Sequence, residues 1–304
     1  MSSVTPETHH HRHRGHRVLF SGSDGNRLVA SRYEADDVGP PAPAALLLHG
    51  GGQTRHAWSA TAARLAAAGF TAIALDHRGH GDSDWVNDAN YSFAAFGRDV
   101  GAVADQIAAE TGRRPVAIGA SLGGLSSILA LGARPDALSG LILVDITPKM
   151  NMDGVAGVNR FMMAKAREGF ASIEEAADAV AAYLPHRPRP KSLDGLRKNL
   201  RQRDDGRFYW HWDPRFFDGP QPVNGDRTTQ YQAFSSAARS IAVPLMLVRG
   251  RSSELVGDEE VADFRALCPT AEFADIAGAR HMVAGDKNDI FARTILEFMA
   301  RRYK

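Results

Sequence analysis

Short, continuous apolar runs alternate with amphipathic helical patterns along most of the chain. Such runs predict strands buried on both faces, as in a parallel sheet, and the segments between them predict crossover helices. The predicted strands are 18–20, 28–33, 44–48, 70–75, 115–118, 141–144, 245–248 and 271–276. The predicted helices lie at 57–68, 93–107, 122–131, 261–267 and 291–299. A turn-forming cluster at 23–26 joins the first two strands and predicts an antiparallel hairpin. We expect an α/β fold with a mostly parallel, doubly wound sheet of about eight strands.

This alternation breaks at residues 148–236, which contain candidate helices but no good series of strands. The stretch holds seven prolines, at positions 148, 185, 188, 190, 214, 220 and 222. Because it begins and ends inside the α/β pattern, it predicts a largely helical cap, here called the insertion, rather than a second domain. The predicted core is 17–147 together with 237–304. Residues 1–16 are polar and rich in histidine, and we expect them to form a mobile leader.

Composition narrows the class of protein. The 304 residues include 36 Lys and Arg against 35 Asp and Glu, a net charge of +1, which argues against a nucleic-acid partner. Cys268 is the single cysteine, so an intrachain disulfide and a paired-cysteine zinc site are excluded. No apolar segment approaches the ~20 residues of a membrane span. With no apolar signal core at the N-terminus, the sequence predicts a cytoplasmic protein without a membrane partner.

The most informative motif is Gly119-Ala120-Ser121-Leu122-Gly123, which follows a predicted strand and precedes a predicted helix. This is the G-x-S-x-G pattern of a nucleophile elbow. A turn so tight requires small neighbours around the serine, and the strained backbone holds the hydroxyl clear of the sheet. The alternative is a glycine-rich turn with a capping serine. We predict Ser121 as the nucleophile.

A second motif, His49-Gly50-Gly51-Gly52, directly follows the predicted strand 44–48. Attack of a serine on a carbonyl creates an oxyanion, which two backbone amides must stabilise. One comes from the residue after the nucleophile and the other from a loop that begins His-Gly. We therefore assign the oxyanion hole to Leu122 and Gly51, with Gly52 as the alternative to Gly51.

With these two motifs, the chain resembles the α/β-hydrolase superfamily, and within it the capped, esterase-like serine hydrolases. The resemblance covers nearly everything from residue 18 to 299 except the insertion. Segment 76–83, DHRGHGDS, is similar to the loop after the fourth strand of capped members, where its residues hold loops around the site. The chain order of this fold is serine, acid, histidine. His281, the only histidine after His211, is therefore the predicted base.

The resemblance does not decide which of three carboxylates is the catalytic acid. Its usual position is just after the strand 245–248, which favours Glu254. Asp145 follows the strand 141–144 and matches a second position that some relatives use. Asp258 is the third candidate, although it suits a helix cap better. We predict Glu254, with Ser121 and His281 as its catalytic partners.

These residues predict a two-step acyl transfer that requires no metal and no organic cofactor. We expect a small carboxylic ester or lactone as the substrate. A carbon–carbon bond hydrolase with the same three residue types, and a hydrolase-fold receptor for a small ligand, are the alternatives. The sequence does not decide the oligomeric state, and a homodimer is one of the states it allows. A carboxylate nucleophile is absent from the elbow, which argues against epoxide hydrolase or haloalkane dehalogenase chemistry.

Specificity is assigned to the insertion, which is dense in aromatic residues. Trp210 and Trp212 are predicted to bind substrate, together with Gly52 and Arg55 near the glycine loop. Arg55 is placed to meet an anionic group. The run 49–58 resembles that of hydrolases acting on half-esters of aromatic diacids. The alternative for the aromatic residues is that they only pack the insertion on the sheet.

Overall fold

The computed structural model describes residues 15–35, 42–185, 192–281 and 288–304. Its strands are β1 (His16–Ser21), β2 (Arg27–Tyr33), β3 (Ala45–Leu48), β4 (Ala72–Leu75), β5 (Val116–Ala120), β6 (Gly140–Val144), β7 (Leu200–Gln202), β8 (Phe208–Trp210), β9 (Leu245–Gly250) and β10 (Glu272–Ile276). Eight of them form one sheet in the order β1-β2-β4-β3-β5-β6-β9-β10. Strand β2 pairs antiparallel with both β1 and β4, and the remaining pairs are parallel. The predicted fold class is confirmed.

Helices cover both faces of this sheet. The described helices, of which α5 to α7 belong to the insertion and not to the sheet faces, are α1 (Ser59–Ala67), α2 (Phe93–Thr111), α3 (Leu122–Ala133), α4 (Met152–Met163), α5 (Ile173–Tyr183), α6 (Asp194–Arg197), α7 (Arg215–Asp218), α8 (Arg227–Arg239), α9 (Asp258–Leu267) and α10 (Asn288–Tyr303). Alternate residues of β3 point to opposite faces. Leu46 packs in the core with α2, α3, α8 and α9, whereas Leu47 packs with α1 and α10. Both leucines are fully buried, so each face of the sheet has its own apolar core.

The insertion joins β6 to β9 and consists of α4 to α8 with one small hairpin. Strands β7 and β8 pair antiparallel in that hairpin, whereas the sequence predicted no strand series there. The strands are only three residues long, too short for a clear alternation to be visible in sequence. The predicted boundary at residue 236 falls inside α8, where Phe234 and Ala238 pack into the core of the sheet. Most of the predicted leader, residues 1–14, lies outside the described residues.

The carboxyl ends of β3, β5, β6, β9 and β10 all lie along one edge of the sheet, because these strands are parallel neighbours. In open α/β sheets this edge is where ligands bind. Each candidate catalytic residue follows one of these strands. Within the described ranges, none of the helices has the length and apolar character that crossing a bilayer requires.

Candidate active site

Ser121 occupies a sharp turn between β5 and α3. Its backbone has φ +46° and ψ −112°, in the left-handed half of conformational space where residues with a side chain are rarely found. The Ser121 amide donates to the carbonyl of Val144 at 3.4 Å, and the Ser121 carbonyl accepts from Leu125 at 3.1 Å. These bonds hold the strained turn in place, and the side chain remains half-buried at the floor of a cavity.

The two glycines of the motif allow this turn for steric reasons. A Cβ on Gly119 would lie 2.5 Å from the backbone of Gly123, and one on Gly123 would lie 2.4 Å from the carbonyl oxygen of Leu48. Neither neighbour is a flexible side chain that could move aside. The N-terminus of α3 therefore packs directly on β5 and β3, as the elbow motif predicted.

A histidine and a buried carboxylate pair beside this turn. The Nδ1 atom of His281 lies 2.8 Å from Oδ2 of Asp145, whose side chain is completely buried. Asp145 directly follows β6, has φ +50°, and also accepts hydrogen bonds from the Gly250 amide at 2.8 Å and the Ser253 hydroxyl. With Nδ1–H donating to Asp145, the neutral ring presents Nε2 as a proton acceptor. His281 lines the same cavity as Ser121.

The prediction that Glu254 contacts the imidazole is wrong on this geometry. One Glu254 oxygen accepts from Arg280 at 2.9 Å, and the other accepts from the backbone amide of His281 at 3.3 Å. Burial opposes ionisation, but the hydrogen bond from Arg280 lowers the pKa of Glu254 below its usual value. Glu254 thus anchors the backbone of the histidine loop while Asp145 contacts the ring. Asp258, the third candidate, pairs with Arg249 at 2.7 Å.

The glycine loop lies against the nucleophile because β3 and β5 are parallel partners, with Leu48 opposite Gly119. A Cβ on Gly50 would lie 3.4 Å from the Cβ of Ser121. Leu122 is the first residue of α3, so its amide has no acceptor within the helix. The Gly52 amide is already engaged, because it donates to a histidine nitrogen at 3.1 Å. This favours Gly51 over Gly52 as the second oxyanion donor.

Buried histidines beneath the loop fix its shape. His80 accepts from the Gly52 amide at Nε2 and contacts the Arg78 carbonyl through Nδ1 at 3.0 Å. His49 accepts from the His77 amide at Nε2, at 3.1 Å, and contacts the Gly50 carbonyl through Nδ1 at 2.8 Å. Burial lowers the pKa of His80 to about 3 and that of His49 to about 4. Both rings are therefore neutral, with Nδ1 as donor and Nε2 as acceptor.

Arg55 does not take the predicted substrate-binding position. Its guanidinium pairs with the buried carboxylate of Asp76 and, at 2.8 Å, with Asp82, while Nε donates to Ser31 at 3.0 Å. It is absent from the described residues that line the cavity above Ser121. The short helical turn 55–58 points this side chain back under the glycine loop, where Asp76 also accepts from the Arg55 amide. Arg55 therefore has a structural role, satisfying a buried charge.

A cavity of about 820 Å³ lies between the elbow and the insertion. Gly52, Trp210 and Trp212, all predicted to bind substrate, line it. Its walls are mostly apolar, and the insertion supplies most of the large side chains: Val155, Val158, Phe161, Met162, Phe216, Phe217 and Phe234. The insertion aromatics also pack on one another, as in the Phe170–Trp210 edge contact at 5.1 Å. The same aromatic residues thus line the cavity and pack the insertion together.

Comparison with known proteins identifies the family of the fold. The model of the alpha/beta hydrolase fold family matches residues 43–287. Esterase Rv0045c of Mycobacterium tuberculosis is 31% identical over 243 residues, covering 78% of this chain and 76% of that protein. The 2-(acetamidomethylene)succinate hydrolase of Mesorhizobium japonicum is 26% identical, covering 76% of this chain and 78% of that protein. A crystal structure of E-2-(acetamidomethylene)succinate hydrolase superposes with a TM-score of 0.76 over 94% of this chain and all of that one, at 22% identity.

The chain belongs to the α/β-hydrolase fold family. The family match extends over both parts of the predicted core and across the insertion. The predicted superfamily is confirmed, and so is the predicted enzyme class, an α/β-hydrolase of the carboxylesterase-like kind.

Proposed function

We propose that this protein hydrolyses carboxylic esters or lactones through an acyl-enzyme intermediate, with Ser121, His281 and Asp145 as the catalytic residues. The observation that carries the proposal is the 2.8 Å contact between His281 and the buried carboxylate of Asp145, because His281 and Ser121 line the same cavity. A serine hydroxyl needs an adjacent base, and the base needs a carboxylate that orients it and stabilises its charged form. The esterase relative supports the same reaction class.

In the proposed reaction, Nε2 of His281 accepts the Ser121 proton as the serine oxygen attacks the ester carbonyl. The new oxyanion accepts hydrogen bonds from the amides of Gly51 and Leu122, each of which contributes about 3–4 kcal/mol of transition-state stabilisation in comparable sites. Asp145 keeps the ring in the required tautomer. Protonated His281 then gives its proton to the leaving alcohol, and water activated by the same ring releases the acid.

The shape of the cavity favours substrates with an extended apolar part. A volume of about 820 Å³ lies within the range of sites for small organic molecules. Trp210 and Trp212 line this cavity and are almost fully buried, so their rings form part of its wall. We propose that the insertion selects substrates by the shape of their acyl or alcohol group.

The proposal is tested by hydrolysis of p-nitrophenyl acetate and p-nitrophenyl butyrate. We expect steady-state turnover by the native protein and its loss in Ser121→Ala, with Ser236→Ala, an exposed helix position, as the matched control. Release that does not depend on Ser121 would refute the mechanism. A burst equal to the enzyme concentration without turnover would favour the receptor alternative. Cleavage of diketone-type substrates in place of esters would favour the carbon–carbon bond hydrolase.

A further inference from the structure

A group of polar side chains lines one part of the mostly apolar cavity. Asn159 on α4 donates to Asn224 at 3.3 Å, and Gln230 on α8 donates to the Val223 carbonyl at 2.8 Å. Arg227 precedes Gln230 by three residues, so the two lie on one face of α8. All of these residues line the cavity, and Asn224 and Arg227 are exposed. They form the mouth of the cavity on the side of the insertion.

Arg227 is the cation of this mouth for which the described part of the chain supplies no anionic partner. Among the described residues, no carboxylate lies within 4 Å of its guanidinium, and no Asp or Glu lines the cavity. The second lining cation, Lys149, is already paired with Glu259 at 2.5 Å. The helix-capping carboxylate of Asp226 accepts from the Thr229 amide at 2.7 Å. A negative charge on a ligand would thus meet an unneutralised guanidinium and no opposing carboxylate.

We infer that Arg227 binds a free carboxylate of the substrate, and that the favoured substrates are half-esters of dicarboxylic acids. The inference rests on the proposed ester hydrolysis at Ser121. The apolar wall takes the carbon chain or ring of the acid, the ester lies at Ser121, and the far carboxylate reaches the mouth. A guanidinium offers several N–H donors in a planar fork that fits a carboxylate. The sequence predicted that Arg55 would meet an anionic group of the substrate, and this inference gives that role to Arg227 instead.

The test compares two matched series of p-nitrophenyl esters made from straight-chain diacids of four to ten carbons. In one series the far end is a carboxylate, and in the other it is the isosteric carboxamide. The quantity measured is the ratio of kcat/KM for the acid to that for the amide, at low salt. The variants are Arg227→Gln and, as the control, Arg239→Gln, which removes the same charge from the other end of α8 outside the cavity.

We expect the native ratio to exceed one at the chain length that spans the cavity, and to fall about fivefold in Arg227→Gln but not in Arg239→Gln. It should also shrink as salt screens the partly exposed pair. A ratio at or below one at every length, or an equal fall in both variants, overturns the inference.

A binding measurement separates this inference from the reaction. Quenching of tryptophan fluorescence in Ser121→Ala reports binding of the free diacid and of its monoamide, because Trp210 and Trp212 line the cavity. Tighter binding of the diacid that requires Arg227 supports the inference even if no ester is cleaved. If esters are cleaved but diacid and monoamide bind equally, the inference is wrong and the proposed hydrolysis stands.

Discussion

Asp145 and His281 are 136 residues apart in the chain, yet their side chains meet at 2.8 Å at the carboxyl edge of the sheet. The topology explains the meeting. Strands β6, β9 and β10 are parallel neighbours, so the residue after β6 faces the loops that follow β9 and β10. Gly250, the last residue of β9, and Ser253, in the loop that follows, also donate to Asp145 and hold its carboxylate in place.

The first prediction separates the two acids by substitution. Asp145→Asn should lower kcat by about 10³- to 10⁴-fold, because the amide cannot stabilise the imidazolium and favours the wrong tautomer. Glu254→Gln should change kcat far less, since its oxygens hold Arg280 and the His281 amide rather than the ring. Steady-state hydrolysis of p-nitrophenyl butyrate measures both. Equal losses, or the greater loss in Glu254→Gln, would restore Glu254 as the acid.

The folding of these variants needs its own control. Asp145 is fully buried, so Asn at this position leaves neighbouring donors imperfectly paired. Ser253→Ala removes one of those donors without touching the imidazole. If Asp145→Asn lost activity through unfolding alone, the loss would follow its urea midpoint, and Ser253→Ala of equal stability would lose as much.

The second prediction concerns the shape of the oxyanion loop. His80→Ala removes the acceptor of the Gly52 amide, which frees the loop that carries Gly51. A small displacement of such a donor costs up to about 100-fold in rate. We therefore expect a lower kcat with little change in KM, and partial recovery in His80→Gln, whose amide oxygen offers an acceptor. Unchanged kcat in His80→Ala would show that the loop keeps its shape without this bond.

The third prediction tests the packing of the elbow with two glycines. Gly123→Ala places a Cβ 2.4 Å from the Leu48 carbonyl oxygen, so α3 must shift, at about 1–3 kcal/mol of stability. Gly157→Ala on α4 meets open space and should be neutral or stabilising by up to about 1 kcal/mol. Urea unfolding followed by tryptophan fluorescence measures both, and ester hydrolysis should fall only in Gly123→Ala. A neutral Gly123→Ala would contradict the close approach.

The fold could be predicted from sequence because its signals are local. Buried parallel strands are continuous apolar runs, and the elbow needs small residues at fixed spacing around Ser121. The identity of the acid is not local information. Asp145 and Glu254 both follow strands that end at the same edge, and only the register of β6 against β9 decides which carboxylate reaches the ring.

Arg55 and Arg227 show the same limit for substrate contacts. Arg55 is three residues past the glycine loop, so proximity in sequence suggested the site, but a helical turn directs it to Asp76. Arg227 lies in no sequence motif that would mark it as a substrate-binding residue. Its place at the cavity follows from the packing of α8 on one face of the sheet, as in the contact of Phe234 with Phe93 of α2, which sequence periodicity alone does not locate.

The last prediction follows from the buried, neutral rings of His49, His77 and His80. Burial lowers the pKa of each, to about 4 for His49, well below its ordinary value for His77, and to about 3 for His80. The unfolded chain binds protons below its histidine pKa near 6.5 while the folded chain does not, so stability present above that pH is lost as the pH falls. At pH 5.5 each ring should cost on the order of 1 kcal/mol of stability relative to pH 7.5. Burial lowers the pKa of half-buried His56 and of His211 as well, so these two rings also lower the stability as the pH falls.

Urea midpoints measured between pH 7.5 and 5.5 report this loss of stability. His80→Gln should reduce the pH dependence of the midpoint by the contribution of one ring. A midpoint independent of pH would mean that these histidines are protonated in the folded protein.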